Sequence, residues 1–137
     1  YKEDFDPHRT LGIIVPYRHQ IAAIRRAMER EGVTEAADIT IDTVERYQGS
    51  QRDTIIYGFT VQRHAQLDFL TEHTFTEDGM TIDRKLNVAM TRAREHLYLV
   101  GHAPLLAHIA TFAALIDFCR ARHAFCRVTP AGFAACR

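Results

Sequence analysis

The sequence predicts an α/β fold in which a parallel β-sheet is flanked by helices. Apolar, β-branched runs alternate with segments of helical periodicity, and strands joined through helices pair in parallel. The first apolar run, Leu11-Gly12-Ile13-Ile14-Val15, is continuous rather than alternating, which suits a strand covered on both faces. At 137 residues, 47% of them hydrophobic, the chain is sized for one domain spanning residues 1–137.

Pro16 closes the first strand. From Tyr17 to Glu31, Ile21, Ile24 and Met28 recur at helical spacing with Arg18, Arg25, Arg26 and Arg30 between them, and Gly32 ends the helix. Ile39 to Val44 alternates and reads as a second strand. Tyr47 to Gln51 reads as a loop and Thr54 to Thr60 as a third strand. Thr71 to Gly79 is expected to be an exposed excursion. Asp83 is expected to cap a helix from Arg84 to about Glu95, with Leu86, Met90, Ala93 and Leu97 as its apolar stripe. His96 to Gly101 is a fourth strand, Pro104 to His123 a helical segment, and the tail past Val128 is expected to be poorly ordered.

Lys+Arg and Asp+Glu number 17 each, so the whole-chain field attracts no polyanion and any nucleic-acid contact must be local. No apolar run is long enough to span a bilayer, which argues against a membrane protein. The chain starts at Tyr1 without a leader pattern and is expected to be a piece of a longer polypeptide. Three cysteines, an odd count, point to a reducing, cytoplasmic setting rather than a disulfide framework. Cys119, His123 and Cys126 do not complete a tetrahedral ligand set, so no metal site is expected. The only lysines are Lys2 and Lys85, and neither follows a glycine, so the chain has no Gly-Lys-Ser/Thr loop to cradle phosphates.

In parallel sheets ligands sit beyond the carboxyl ends of the strands. That directs attention to Tyr17–Gln20 and to Tyr47–Asp53, with the helix before the last strand as a third candidate. On a continuous helix Lys85 and Arg92 would share one polar stripe, and Asn87, Thr91 and Arg94 a neighbouring one. Guanidinium groups present a rigid fork that matches phosphate oxygens. Gly49 permits a turn that other residues resist. Gln48 and Gln51 supply amides able to hydrogen-bond a ribose or a base.

Three strings taken in order, Gly12-Ile-Ile-Val-Pro-Tyr-Arg-His-Gln20, Thr43-Val-Glu-Arg-Tyr-Gln-Gly49 and Leu86-Asn-Val-Ala-Met-Thr-Arg-Ala-Arg94, resemble motifs IV, V and VI of superfamily 1 helicases, in the 5′→3′ branch of Upf-like and Dna2-like enzymes. The resemblance runs from about Leu11 to Gly101. It implies a RecA-like, three-layer fold of the P-loop NTPase type without its own phosphate loop, and so the second of two motor domains. ATP and Mg²⁺ would be held mainly by the first RecA-like domain of the same polypeptide, and the track would take single-stranded DNA or RNA.

Carried over by residue, the resemblance makes Arg92 the catalytic arginine finger on the γ-phosphate. Gln48, Gly49, Gln51, Arg92 and Arg94 become the ATP-facing set, and Thr43, Tyr17 and Arg18 the nucleic-acid contacts. Asn87 and Thr91 become supports of the motif VI backbone, and Arg94 is expected to orient the helix or pair with an acid. Gln51 stands where many members have Glu, so a charge near the nucleotide is missing, and Glu45 replaces the more usual Asp. That departure leaves open an alternative: a non-catalytic, helicase-like module that binds nucleic acid or protein.

Overall fold

The computed structural model describes residues 4–47, 50–71, 74–77 and 80–129. Four strands form a parallel sheet: β1 (Leu11–Val15), β2 (Thr40–Thr43), β3 (Arg52–Gly58) and β6 (Ala93–Val100), in the order β2-β1-β3-β6. Its register aligns Ile13 with Ile41 and Ile56, and Tyr57 with Ile14 and Leu99.

Side-chain alternation on these strands creates two cores. On one face Ile13, Val15 and Ile41 are covered by α1 (His19–Arg30) through Ile21, Ile24 and Met28. On the other, Ile14, Ile55 and Tyr57 meet Leu86 and Ala89 of α3 (Arg84–Met90), Leu105 and Leu106 of α4 (Ala103–Leu106), and Phe112 of α5 (Ala110–Ala121). Tyr57, Phe59 and Phe112 pack edge to face at centroid distances of 4.9 and 5.2 Å. This is a three-layer α/β sandwich, as the sequence predicted. Gly32 closes α1 with a left-handed backbone (φ +75°) that a side chain would strain.

The connection from β2 to β3 is short. Residues 44–51 connect strands on opposite sides of β1, with no helix among the described residues of this stretch. Tyr47 lies flat on β1 along this path, 1% exposed, and the position it covers is Gly12, where any Cβ would collide with the Tyr47 hydroxyl. Tyr47 Oη lies beside Thr40 but completes no hydrogen bond of ordinary geometry, the Thr40 hydroxyl oxygen accepting from Arg52 Nη2 at 3.1 Å instead. Burial raises the pKa of this phenol, keeping it neutral.

Several boundaries differ from the sequence reading. The helix expected to reach Glu95 stops at Met90, because the Arg52 N–H donates to the Arg92 carbonyl (2.9 Å) and draws the following residues into β6. Sheet pairing overrides the helical preference of Ala93–Glu95. Asp83 caps α3 as expected, its Oδ1 accepting from Leu86 N at 3.0 Å. The excursion before it contains an antiparallel hairpin, β4 (Thr74–Glu77) with β5 (Met80–Asp83), preceded by α2 (Leu67–Thr71). The single helix expected over Pro104–His123 is two, and nothing in the local sequence marks the break at 107–109. Among the described residues no helix is long and apolar enough to cross a membrane. Residues 130–137 of the tail lie outside the described residues.

Gly12→Ala should therefore lower stability by about 1–3 kcal/mol in urea denaturation, as overpacking does. Tyr47→Phe, which deletes the colliding hydroxyl, should be near neutral alone and should recover part of the loss when combined with Gly12→Ala.

Candidate functional site

The predicted site residues divide between the two edges of the sheet. Thr43 ends β2 opposite Val15, and Tyr17 and Arg18 follow β1, so these three share the carboxyl edge. Gln51 precedes β3, Arg92 precedes β6 and Arg94 lies on β6, so these three share the amino edge. The expectation that Tyr47–Asp53 sits beyond the carboxyl ends is corrected: the short return over β1 delivers its second half to the opposite edge. Gln48 and Gly49 lie outside the described residues.

At the amino edge, Arg92 is half-buried. Its Nε donates to the Val88 carbonyl (3.3 Å) and its Nη2 to Thr91 Oγ1 (3.2 Å), while Thr91 Oγ1 donates to Val88 O (2.9 Å). Thr91 thus caps α3 and braces the guanidinium, and Thr91 N donates to Asn87 O at 3.1 Å. The Asn87 side chain is exposed. Arg94 Nε reaches Gln51 Oε1 at 3.5 Å, and its Nη1 lies 3.7 Å from Asp53 Oδ1. Arg52 donates from Nη1 to the Gln51 carbonyl (2.8 Å) and lies over the Tyr47 ring, 5.7 Å from its centroid. Arg9, just before β1, adds a fourth guanidinium 3.6 Å from Asp53 Oδ2.

The shared helical stripes drawn from the sequence do not exist, because α3 ends before Arg92. Lys85, assigned to an outer polar stripe, is instead buried: its side chain is 7% exposed and its Nζ lies 3.4 Å from Glu45 Oε1. The aliphatic stem packs inward while the ammonium reaches the motif V carboxylate. Glu45 joins the end of β2 to α3. Partial burial raises its pKa, but its own backbone N–H, the Lys85 charge and the Thr43 hydroxyl outweigh that and hold it below the ordinary value of 4.5. Burial first, then the charges of Asp83 and Glu45, push the Tyr57 phenol upward.

At the carboxyl edge Thr43 is buried and its hydroxyl bonds Glu45, so the side chain locks motif V to its neighbours. Arg18 is exposed, and half-buried Tyr17 stacks on His19 at 5.5 Å. Gln20 Oε1 accepts from Thr60 Oγ1 at 2.8 Å, tying the start of α1 to the segment after β3.

The amino edge fits phosphate oxygens: Arg9 and Arg94 flank Asp53, and Arg52 and Arg92 stand at the same edge, in a chain of zero formal net charge. It does not fit Mg²⁺, since both Asp53 oxygens face arginines and no three His, Cys, Asp or Glu side chains among the described residues group as metal ligands. Arg9, the pairing of Asp53 with two arginines and the Lys85–Glu45 pair escaped the sequence reading, although Asp53 closes the candidate segment Tyr47–Asp53. They meet only through strand register and the short crossover, and no local pattern signals either.

A three-layer α/β domain with a parallel sheet, a cationic strand edge and no Gly-Lys-Ser/Thr string defines a class: a RecA-like domain without its own phosphate loop. Residues 1–104 match the AAA domain family, and the chain belongs to it. Within it, the chain is a second RecA-like domain of the superfamily 1 helicase type. It is 33% identical over 101 residues to DNA polymerase alpha-associated DNA helicase A of Saccharomyces cerevisiae, covering 73% of this chain and 13% of that protein. It is 32% identical over 110 residues to the helicase Sen1 of Schizosaccharomyces pombe, covering 78% and 6%. It is 31% identical over 122 residues to the 3′-5′ exoribonuclease HELZ2 of Mus musculus, covering 86% and 4%. The chain thus spans only about a tenth, or less, of the length of these relatives.

Because the Glu45 pKa is depressed in the folded state, its contribution is present above about pH 4.5 and lost as pH falls through its lower folded value. Glu45→Gln should destabilise by about 1 kcal/mol or less at pH 7, the size of a half-exposed ion pair, by removing the charge that faces Lys85. The gap from wild type should close on acidification below pH 4.5, read from denaturation midpoints across a pH series.

Proposed function

We propose that this chain is the second motor domain of a longer ATP-dependent helicase, supplying the arginine finger and part of the nucleic-acid track. The observation that carries this reading is Arg92 at the cationic amino edge, held by the end of its own helix with Gln51 and Arg94 beside it. A first RecA-like domain of the same polypeptide would hold ATP and Mg²⁺ against this edge. Charge spreads over the phosphoryl oxygens during transfer, and a preorganised guanidinium stabilises it by a factor on the order of 10³–10⁵ in turnover. ATP with its metal supplies the electrophilic phosphorus. This chain contributes the cations around it and the amides and glycine of Gln48, Gly49 and Gln51.

The opposite edge would meet the strand. Arg18 offers a guanidinium to a phosphate, and the Tyr17–His19 stack offers an aromatic platform of the kind bases pack on. Thr43 acts here through its backbone and through Glu45, its hydroxyl being engaged. The relatives' names include a DNA helicase and an exoribonuclease, and single-stranded DNA or RNA is the substrate class proposed. Translocation 5′→3′ and a reducing, cytoplasmic setting complete the reading.

In the full-length polypeptide, Arg92→Ala should lower steady-state ATP turnover by about 10³-fold or more with ATP binding nearly unchanged. Arg92→Lys should recover little, because an ammonium lacks the fork. Wild-type turnover in Arg92→Ala would end this reading. The isolated chain should bind no ATP tightly and hydrolyse none, measured by phosphate release, since it has no phosphate loop. Arg92-dependent hydrolysis by the isolated chain would contradict the division of labour.

A further inference from the structure

We infer that Asp53 is a positioning residue for ATP turnover, aiming Arg94 at the nucleotide-facing turn and keeping it from swinging free; this rests on the function proposed above. Two independent observations meet at this carboxylate. The first is a break in the sheet register: Arg52 pairs with Ala93, but Thr54 pairs with His96, so the single residue Asp53 faces both Arg94 and Glu95. Such a bulge turns a strand residue out of regular alternation, and here it re-aims Arg94. The second is the division of the Asp53 carboxylate between two arginines, Oδ1 lying 3.7 Å from Arg94 Nη1 and Oδ2 3.6 Å from Arg9 Nε. Arg94 then reaches Gln51 with its remaining Nε.

The arrangement is poorly suited to be a stabilising device. Both arginine side chains are more than half exposed, and exposed ion pairs at such distances add little to stability. What the carboxylate does supply is direction. Asp53 is itself anchored, its N–H donating to the Arg9 carbonyl at 2.9 Å, so the oxygen that faces Arg94 is fixed relative to β1 and β3. The substitution of Gln51 for the usual acid makes this sharper. Gln51 Oε1 is a neutral acceptor for Arg94, which leaves Asp53 as the charged one among the described contacts of that side chain.

Charge and aim separate cleanly in this design. Removing the Asp53 charge leaves Arg9, Arg52, Arg92 and Arg94 at the edge, so attraction for a polyphosphate rises while the orientation of Arg94 is lost. In the full-length polypeptide, Asp53→Asn should therefore lower kcat for ATP by about tenfold or more, as a misplaced catalytic group does. KM for ATP should be unchanged or lower, and the melting temperature should stay within about 4 °C of wild type. Asp53→Glu, which keeps the charge, should regain most of the lost turnover.

Two results would overturn the inference: an unchanged kcat in Asp53→Asn, or a fall in kcat accompanied by a raised KM and a lost melting transition that Asp53→Glu does not restore. Arg92→Ala, assayed in parallel, distinguishes the two levels. If it abolishes turnover while Asp53→Asn does not, only the role of Asp53 falls. If Arg92→Ala turns over like wild type, the function proposed for the whole edge falls with it.

Discussion

The chain must return from the end of β2 to the start of β3 within residues 44–51, and the two strands lie on opposite sides of β1. Among the described residues of that path there is no helix, and Tyr47 is buried against Gly12 of β1. Gly12 makes the approach possible. Parallel strands ordinarily need a crossover of a dozen residues or more. The shorter one here has a consequence for the site: Thr43 stands at one edge of the sheet and Gln51 at the other. One continuous segment therefore touches both the edge proposed to meet nucleic acid and the edge proposed to meet ATP.

Contacts from α3 reinforce that span. Lys85, in the first turn of the helix, pairs with Glu45 near the carboxyl edge, while Arg92, just past its last turn, sits at the amino edge. The helix is a strut of seven residues, on the order of 10 Å long. Movement of Glu45 against its strand end would be felt through buried Lys85 by a rod whose far end carries the guanidinium. Tyr57 is buried beneath α3, and burial together with the charges of Asp83 and Glu45 keeps its phenol neutral. Packing of α3 against the sheet and the Lys85–Glu45 pair are thus the contacts through which the two edges would be coupled.

Much of the layer structure was legible from residue pattern. Leu11–Val15, the β-branched run around Ile41 and the apolar stripe of α1 each carry a local period that the packing uses directly. Asp83 as a helix cap and Gly32 as a helix terminator were likewise written in residue type. What escaped the pattern depended on pairing between distant segments. Ala93, Arg94 and Glu95 suit a helix locally, and pairing with β3, begun by the bond from Arg52 to the Arg92 carbonyl, makes them strand. Lys85 looked solvated because sequence cannot say that an acid waits above a buried stem. The bulge opposite Asp53 is a register property, and register has no signature in one strand alone. Arg92, Arg94 and Gln51 were named through family resemblance, and their gathering at one edge follows from contacts that the strings themselves do not contain.

The contacts of Arg92 bear on how the finger proposed above would be both held and released. Its guanidinium bonds a neutral carbonyl and a hydroxyl, each net worth about 1 kcal/mol in a half-exposed position. A charge-assisted bond to a phosphate is roughly twice as strong, and the oxygens of a triphosphate offer several. The balance favours transfer from helix end to nucleotide without any unfolding of α3, since the carbonyl left behind can be satisfied by Thr91, which already donates to it. Had Arg92 paired with a buried carboxylate, release would have left an uncompensated charge and cost several kcal/mol. A neutral parking place is what a group needs if it must be ordered before the substrate arrives and yet free to leave when it does.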